Sequence, residues 1–343
     1  GGKRMIQTPE DFCQWLQPDA SIRSVQKSLY WLLSLRSARK KRQEYQIFWL
    51  AKHSGGYRPV AAPSPGLKKV QRGILSLLSV GEVSPHATAY QPGCTLLRNA
   101  APHVGQPFVV KLDIANFFGS IPFPAVYAAI DRALCRNPEI QSSAKASSAR
   151  EGATESYNAA LSFFFATLCT LDGVLPQGAP TSPLLSNLVF FPLDCRIAAF
   201  CEGRKIHYTR YSDDLTFSGD FSPDTLIRFI RRLLCEHGFL LHESKTVIAR
   251  RGNRQQVTGI LVNDRPQAGR KFRRRIRQEL YYIQRFGLSS HLLHEGRTGE
   301  SCAPGPYLHS LLGRIQFVLQ VCPYDREFLG YRAYILQQMK HYT

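Results

Sequence analysis

His207-Tyr-Thr-Arg-Tyr-Ser-Asp-Asp-Leu-Thr-Phe-Ser218 alternates apolar or aromatic with polar residues around a short acidic centre. A period of two over this length predicts strands, and the polar break in the middle predicts the turn of a tight hairpin. Asp213 and Asp214 then sit at or beside that turn.

Upstream, Phe108-Val-Val-Lys-Leu-Asp-Ile114 is rich in β-branched residues. Its alternation puts Val110, Leu112 and Ile114 on the side opposite Lys111 and Asp113. One face is core, and the other offers a third carboxylate. An aspartate in a strand is usually a surface residue or a turn former, so none of the three carries a function alone. Together they are a hard oxygen set of the kind magnesium takes, with substrate phosphates and water completing the shell. Two such ions can stabilise the attacking and leaving oxygens of an in-line phosphoryl displacement.

What gives these aspartates weight is their order among other segments. Leu112-Asp-Ile-Ala-Asn-Phe-Phe118 is followed by Leu175-Pro-Gln-Gly-Ala-Pro-Thr-Ser-Pro183 and then by Tyr211-Ser-Asp-Asp214. The series resembles the consecutive palm motifs of reverse transcriptases. The likeness extends to Tyr57-Arg-Pro-Val60 upstream and His242-Glu-Ser-Lys-Thr246 downstream, so it covers roughly residues 36 to 277.

The resemblance implies an α+β right-hand polymerase fold: fingers, a ββαβ-type palm carrying an antiparallel sheet, and a helical thumb. The expected division is N-terminal helices and fingers over 1–107, palm with an interleaved fingers segment over 108–264, and a basic RNA-binding thumb over 265–343. It further implies two Mg2+ ions at Asp113, Asp213 and Asp214, with Lys245 protonating the departing pyrophosphate. Gln177 and Gly178 would lie beside the incoming dNTP and template, and Phe118 would exclude a ribose 2′-hydroxyl, with Phe117 able to exchange roles. Arg58 would contact the triphosphate, suited to a guanidinium that binds phosphate in a fork, and Lys52 would reach the outer phosphates. The sequence departs from the commonest pattern at Ser212, where Ala is usual.

Two more segments narrow the family. Asn99-Ala-Ala-Pro-His103 precedes the Asp113 strand, and Val257-Thr-Gly-Ile-Leu-Val-Asn263 follows the palm. Each alone reads as a loop cap or a plain strand and turn. As an ordered pair they resemble the signatures of bacterial retron reverse transcriptases. That likeness implies a cognate structured noncoding RNA, used as template and as primer from a guanosine 2′-hydroxyl, copied into multicopy single-stranded DNA. It also implies a role in antiphage defence, commonly beside a separate effector protein. Asn99, His103, Val257, Thr258 and Gly259 are the candidate RNA contacts from these signatures. Arg314, in a segment resembling the family's terminal thumb helix, is another.

The remaining sequence agrees with a nucleic-acid enzyme. The formal charge is +19, which favours a polyanionic partner. After Pro266, Phe272, Ile276, Leu280 and Ile283 form an apolar helical stripe crowded by basic residues, of which Arg273, Arg274 and Arg277 are candidate RNA contacts. Between Arg265 and Thr343 there are 13 basic and 5 acidic side chains. Tyr45-Gln-Ile-Phe-Trp-Leu50 and Tyr57-Arg-Pro-Val-Ala61 read as a hairpin around a glycine turn. Residues 137–156 are small and polar, a surface insertion expected to be flexible. Nine cysteines without a C-x-x-C pair signal neither zinc nor a disulfide framework, and point to a reducing cytoplasm. No apolar run of bilayer-spanning length is expected, hence no membrane partner. The alternatives are a reverse transcriptase of group II intron or diversity-generating type, an RNA-templated RNA polymerase, and a catalytically silent RNA-binding scaffold.

Overall fold

The N-terminal third is helical because apolar residues at helical spacing are opened by capping side chains or prolines. Pro9–Leu16 (α1) has a capping box between Thr8 and Asp11, and Ser21 caps Ile22–Ser34 (α2). The basic run forms Ala38–Gln43 (α3). Tyr45–Ala51 (β1) and Tyr57–Pro63 (β2) pair antiparallel, as the glycine-rich link predicts. Pro65–Leu78 (α4) and Leu96–Ala100 (α5) follow. In this computed structural model residues 5–51, 55–140, 158–294 and 303–341 are described. Lys52 and most of the polar segment at 137–156 lie outside them.

The centre is a four-stranded antiparallel sheet in the order β4-β5-β3-β6. Phe108–Asp113 (β3) leads into Phe123–Leu134 (α6), Ala159–Cys169 (α7) and Ser182–Glu202 (α8). His207–Tyr211 (β4) and Asp214–Gly219 (β5) form the predicted hairpin. Pro223–Glu236 (α9) then returns the chain to Val247–Arg250 (β6). The run β4, β5, α9, β6 is the expected ββαβ unit, with β3 inserted between β5 and β6. Val110, Leu112 and Ile114 enter the main core. The opposite face of β3 is not all open, because Val109 is also buried, against Val257, Ile260 and Val262.

The 181–183 segment, Thr-Ser-Pro, reads as a helix cap followed by a first-turn proline, and two details of α8 depart from sequence expectation. Thr181 occupies the cap position but makes no cap bond; instead the Ser182 hydroxyl donates to the Pro176 carbonyl at 2.6 Å. By length and composition α8 could cross a bilayer, with a mean hydropathy of 1.5, against the expectation that no segment could. Its Leu185, Phe190, Leu193 and Ile197 are buried in the main core, and so is the charged Asp194, which is why so apolar a helix stands inside a folded domain.

Beyond β6, Gln256–Val257 (β7), Ile260–Leu261 (β8) and Gln267–Ala268 (β9) make a small sheet. Arg270–Phe286 (α10), Leu288–His294 (α11), Pro304–Val321 (α12) and Arg326–Met339 (α13) follow. These helices close on their own core around Ile276, Leu280, Leu311, Ile315 and Phe328. The described cysteines are free thiols.

Candidate active site and nucleic-acid surface

Strand register brings the carboxylates together. Asp113 pairs directly with Asp214 across β3 and β5, and the Ile114 amide donates to the Asp213 carbonyl at 3.0 Å. The turn between β4 and β5 holds only Ser212 and Asp213, with Ser212 at φ 61°. Lys245, from the short 3-10 turn Glu243–Lys245, donates to both Asp113 oxygens at 2.9 and 3.0 Å. Burial first, then the Asp213 and Asp113 charges, push the Asp214 carboxyl up to about 6. Burial raises Asp213 as well.

Among the described residues no three His, Cys, Asp or Glu side chains are gathered into a ready-made metal cage. The donor chemistry still fits a hard divalent cation. The oxygens are carboxylates, their charges disfavour one another, and a cation already answers Asp113 in the form of the Lys245 ammonium.

The raised Asp214 makes a testable statement about the metal-free protein. A folded carboxyl at about 6, against an ordinary 3.8, binds its proton more readily than the unfolded chain does. Its contribution to stability is therefore lost as pH rises from 4 through 6. In chelator, Asp214→Asn should raise Tm at pH 7.5 by about 2 °C, with the gain shrinking towards pH 4. Thermal scans at the two pH values check this, and an equal gain at both would contradict it.

The segment 175–183 is stitched to the β1–β2 ribbon. The Ala61 amide donates to the Gln177 carbonyl at 2.8 Å. Gly178 sits at φ 129°, where an added Cβ would lie 2.6 Å from the Ala61 carbonyl oxygen, so only glycine fits. Arg58 is exposed on the same ribbon, three residues from Ala61. Phe117 and Phe118 separate cleanly. Phe117 is buried against Phe190 and Phe239, whereas Phe118 is half-buried with its ring 6.5 Å from that of Tyr90. Phe118 is thus the one of the two with an open face.

The signature residues prove to be largely interior. Asn99, His103 and Val257 have no accessible surface, which corrects their assignment as direct RNA contacts. Asn99 accepts from the Thr88 hydroxyl at 2.6 Å and donates to the Thr258 hydroxyl at 3.4 Å. His103 bonds Ser218 at 2.6 Å and Thr209 at 2.8 Å. Burial pulls its imidazole down to about 3, so it is neutral and offers phosphate no charge. The two signatures meet at Asn99 and Thr258, and only the turn reaches the cleft. Thr258 and Gly259, at φ 46° and 85°, line a 390 Å³ cavity with Asp113, Asp214 and Lys245.

Three of the candidate thumb arginines are engaged in ion pairs within the protein. Arg273 bonds Asp325. Arg277 forks Glu327 at 2.6 and 2.7 Å, and Arg314 forks the buried Glu279 at 2.7 and 2.6 Å. Their guanidiniums lock α10 to α12 and α13. Arg274 instead shares an exposed stripe of α10 with Lys271, Gln278, Tyr281 and Arg285. Their spacing of three and four residues, with no acid among them, was visible in the sequence.

A further group was not foreseen. Arg210 is wholly buried, with Nε and Nη2 on Asp194 at 3.0 and 2.7 Å, and Nη1 on Asn187 and on the Ser212 carbonyl, each at 3.1 Å. The Tyr208 hydroxyl donates to Asp194 at 2.7 Å. The acidic turn is thereby tied to α8. The available signal was an aspartate inside an apolar helical run.

Residues 50–272 match the family model described as reverse transcriptase (RNA-dependent DNA polymerase). The chain is 37% identical over 253 residues to the Retron Mx65 reverse transcriptase of Myxococcus xanthus, covering 72% of this chain and 58% of that protein. It is 33% identical over 243 residues to the Retron Mx162 reverse transcriptase of the same organism, covering 64% and 47%. To the Retron Ec83 reverse transcriptase of Escherichia coli it is 30% identical over 259 residues, covering 72% and 78%. The chain thus spans only 47–58% of the length of the two Myxococcus relatives.

Proposed function

Because the chain belongs to the bacterial retron reverse transcriptases, we propose that it is an RNA-directed DNA polymerase that copies part of its own structured noncoding RNA. In this reading the RNA is both template and primer, through a guanosine 2′-hydroxyl, and the product is multicopy single-stranded DNA. The biological role is antiphage defence beside a separate effector protein, in the reducing cytoplasm that suits free thiols.

One observation carries the catalytic reading: the register that sets Asp113 opposite Asp214, with Asp213 on the adjoining turn. Asp113, Asp213 and Asp214 would hold two Mg2+ ions, which supply charge stabilisation to the attacking and leaving oxygens. The other side chains act around that centre. Arg58 binds the triphosphate in a fork. Gln177 and Gly178, fixed by the ribbon, bound the nucleotide and template, and Phe118 offers its open face against a ribose 2′-hydroxyl. Lys245 Nζ holds the proton that a departing pyrophosphate oxygen accepts.

The test is synthesis by the full chain with its RNA, dNTPs and magnesium. The expected product is a branched RNA–DNA molecule opened by debranching enzyme. Extension only of an added 3′ primer would move the assignment to another bacterial reverse transcriptase. RNA binding without any synthesis would favour the scaffold.

The exposed stripe of α10 supports RNA binding through phosphate, 2′-hydroxyl and shape. Substituting Lys271, Arg274 or Arg285 by Ala should each weaken RNA binding and reduce the log–log salt slope by about 1. Arg277→Ala should leave that slope near wild type and lower Tm, since its charge already serves Glu327. Filter binding across a salt series distinguishes the two sets, and an unchanged slope in the first set removes this face from consideration.

A further inference from the structure

We propose that Tyr90 is a specificity-determining wall of the nucleotide pocket, held in place by the hydroxyl of Ser212; this rests on the polymerase reading above. The Tyr90 hydroxyl donates to Ser212 Oγ at 2.9 Å. Ser212 directly precedes Asp213 on the acidic turn. A phenol keeps its proton at neutral pH, so the Tyr90 hydroxyl is free to donate.

The backbone shows the same pairing. Tyr90 and Ser212 both adopt left-handed φ, 64° and 61°, a conformation that non-glycine residues keep only where their surroundings dictate it. The surroundings of Tyr90 are tied on both sides. The Thr88 amide donates to the Arg210 carbonyl at 2.7 Å, and Asn187 Nδ2 donates to the Ala89 carbonyl at 2.9 Å. With the main chain fixed to β4 and α8, only rotation of the side chain remains, and Ser212 stops it. The hydroxyl end of Tyr90 is anchored, yet the residue is 44% exposed and its ring packs beside that of Phe118, tilted by 50° with centroids 6.5 Å apart. The open face of Tyr90 therefore borders the same space as Phe118, where the sugar of a dNTP would enter. Alanine at position 212 would remove the anchor, so Ser212 and Tyr90 form a matched pair.

The experiment is a double-mutant cycle with Tyr90→Phe, Ser212→Ala and both together, in the full chain with its RNA. Steady-state incorporation of dNTP and of the matching rNTP gives a discrimination ratio, and thermal scans report folding. Each single variant should raise the dNTP KM and lower discrimination by about five-fold, the scale of one lost hydrogen bond. The double variant should lose no more than either single one. For Tyr90→Phe the change should fall on KM rather than kcat, with Tm unchanged. Losses that multiply in the double variant overturn the pairing, as does a Tyr90→Phe enzyme that discriminates like wild type. A wild-type protein that makes no DNA overturns the polymerase reading and this assignment with it. An active wild type with an indifferent Tyr90→Phe overturns the assignment alone.

Discussion

Asp213→Asn should lower DNA synthesis on the order of 10³-fold while leaving the fold and RNA affinity intact. The amide has the shape of the carboxylate, and the contacts that set the turn belong to the backbone, through Ile114 donating to the Asp213 carbonyl. What changes is charge. A centre that neutralises a phosphoryl displacement supplies several kcal/mol of transition-state stabilisation, and each 1.36 kcal/mol is tenfold in rate. Removing a carboxylate whose proton affinity burial has already raised also relieves the metal-free fold, so Tm in chelator should not fall. Asp224→Asn, at the exposed start of α9, is the matched control and should retain wild-type rates. Single-turnover extension beside gel-shift binding measures both quantities. If Asp213→Asn kept more than a tenth of the activity, the three-aspartate centre would be wrong.

The centre itself was legible because period and motif order are local properties. Alternation placed Leu112 and Asp113 on opposite faces of β3, and the acidic break placed Asp213 on a turn. What alternation cannot show is what covers each face: Val109 shares a face with Asp113 and is nevertheless buried by residues some 150 positions later. The signature residues failed for a related reason. Asn99 and His103 resemble a family signature, but such a signature can be diagnostic because it braces a site rather than because it touches a ligand. Their full burial places them as braces. Cations on a helical wheel are equally silent about distant acids. Nothing near Arg277 in sequence announces Glu327, fifty residues on, whereas Arg274 one turn away has a stripe of bases and no acid beside it.

The largest effect on stability should come from Asp194→Ala. Both partners of the Arg210–Asp194 pair are fully buried, so deleting the carboxylate leaves a guanidinium inside the core with only the Asn187 and Ser212 oxygens to answer it. Breaking such a pair costs about 3–5 kcal/mol, and Tm should drop by about 10 °C. The Tyr208 hydroxyl loses its acceptor in the same step. Desolvation makes the loss asymmetric, because a buried pair replaced on both sides by apolar groups can be nearly neutral. Asp194→Leu combined with Arg210→Met should therefore recover most of the stability that Asp194→Ala loses. Activity should not return with it. Arg210 also holds the Ser212 carbonyl at 3.1 Å, and a methionine there leaves the acidic turn without its tether to α8. A stable double variant with slow synthesis would show that the buried charge serves to position the turn. An Asp194→Ala protein melting within 2 °C of wild type, on the scale of surface substitutions, would show that the pair does not stabilise the fold.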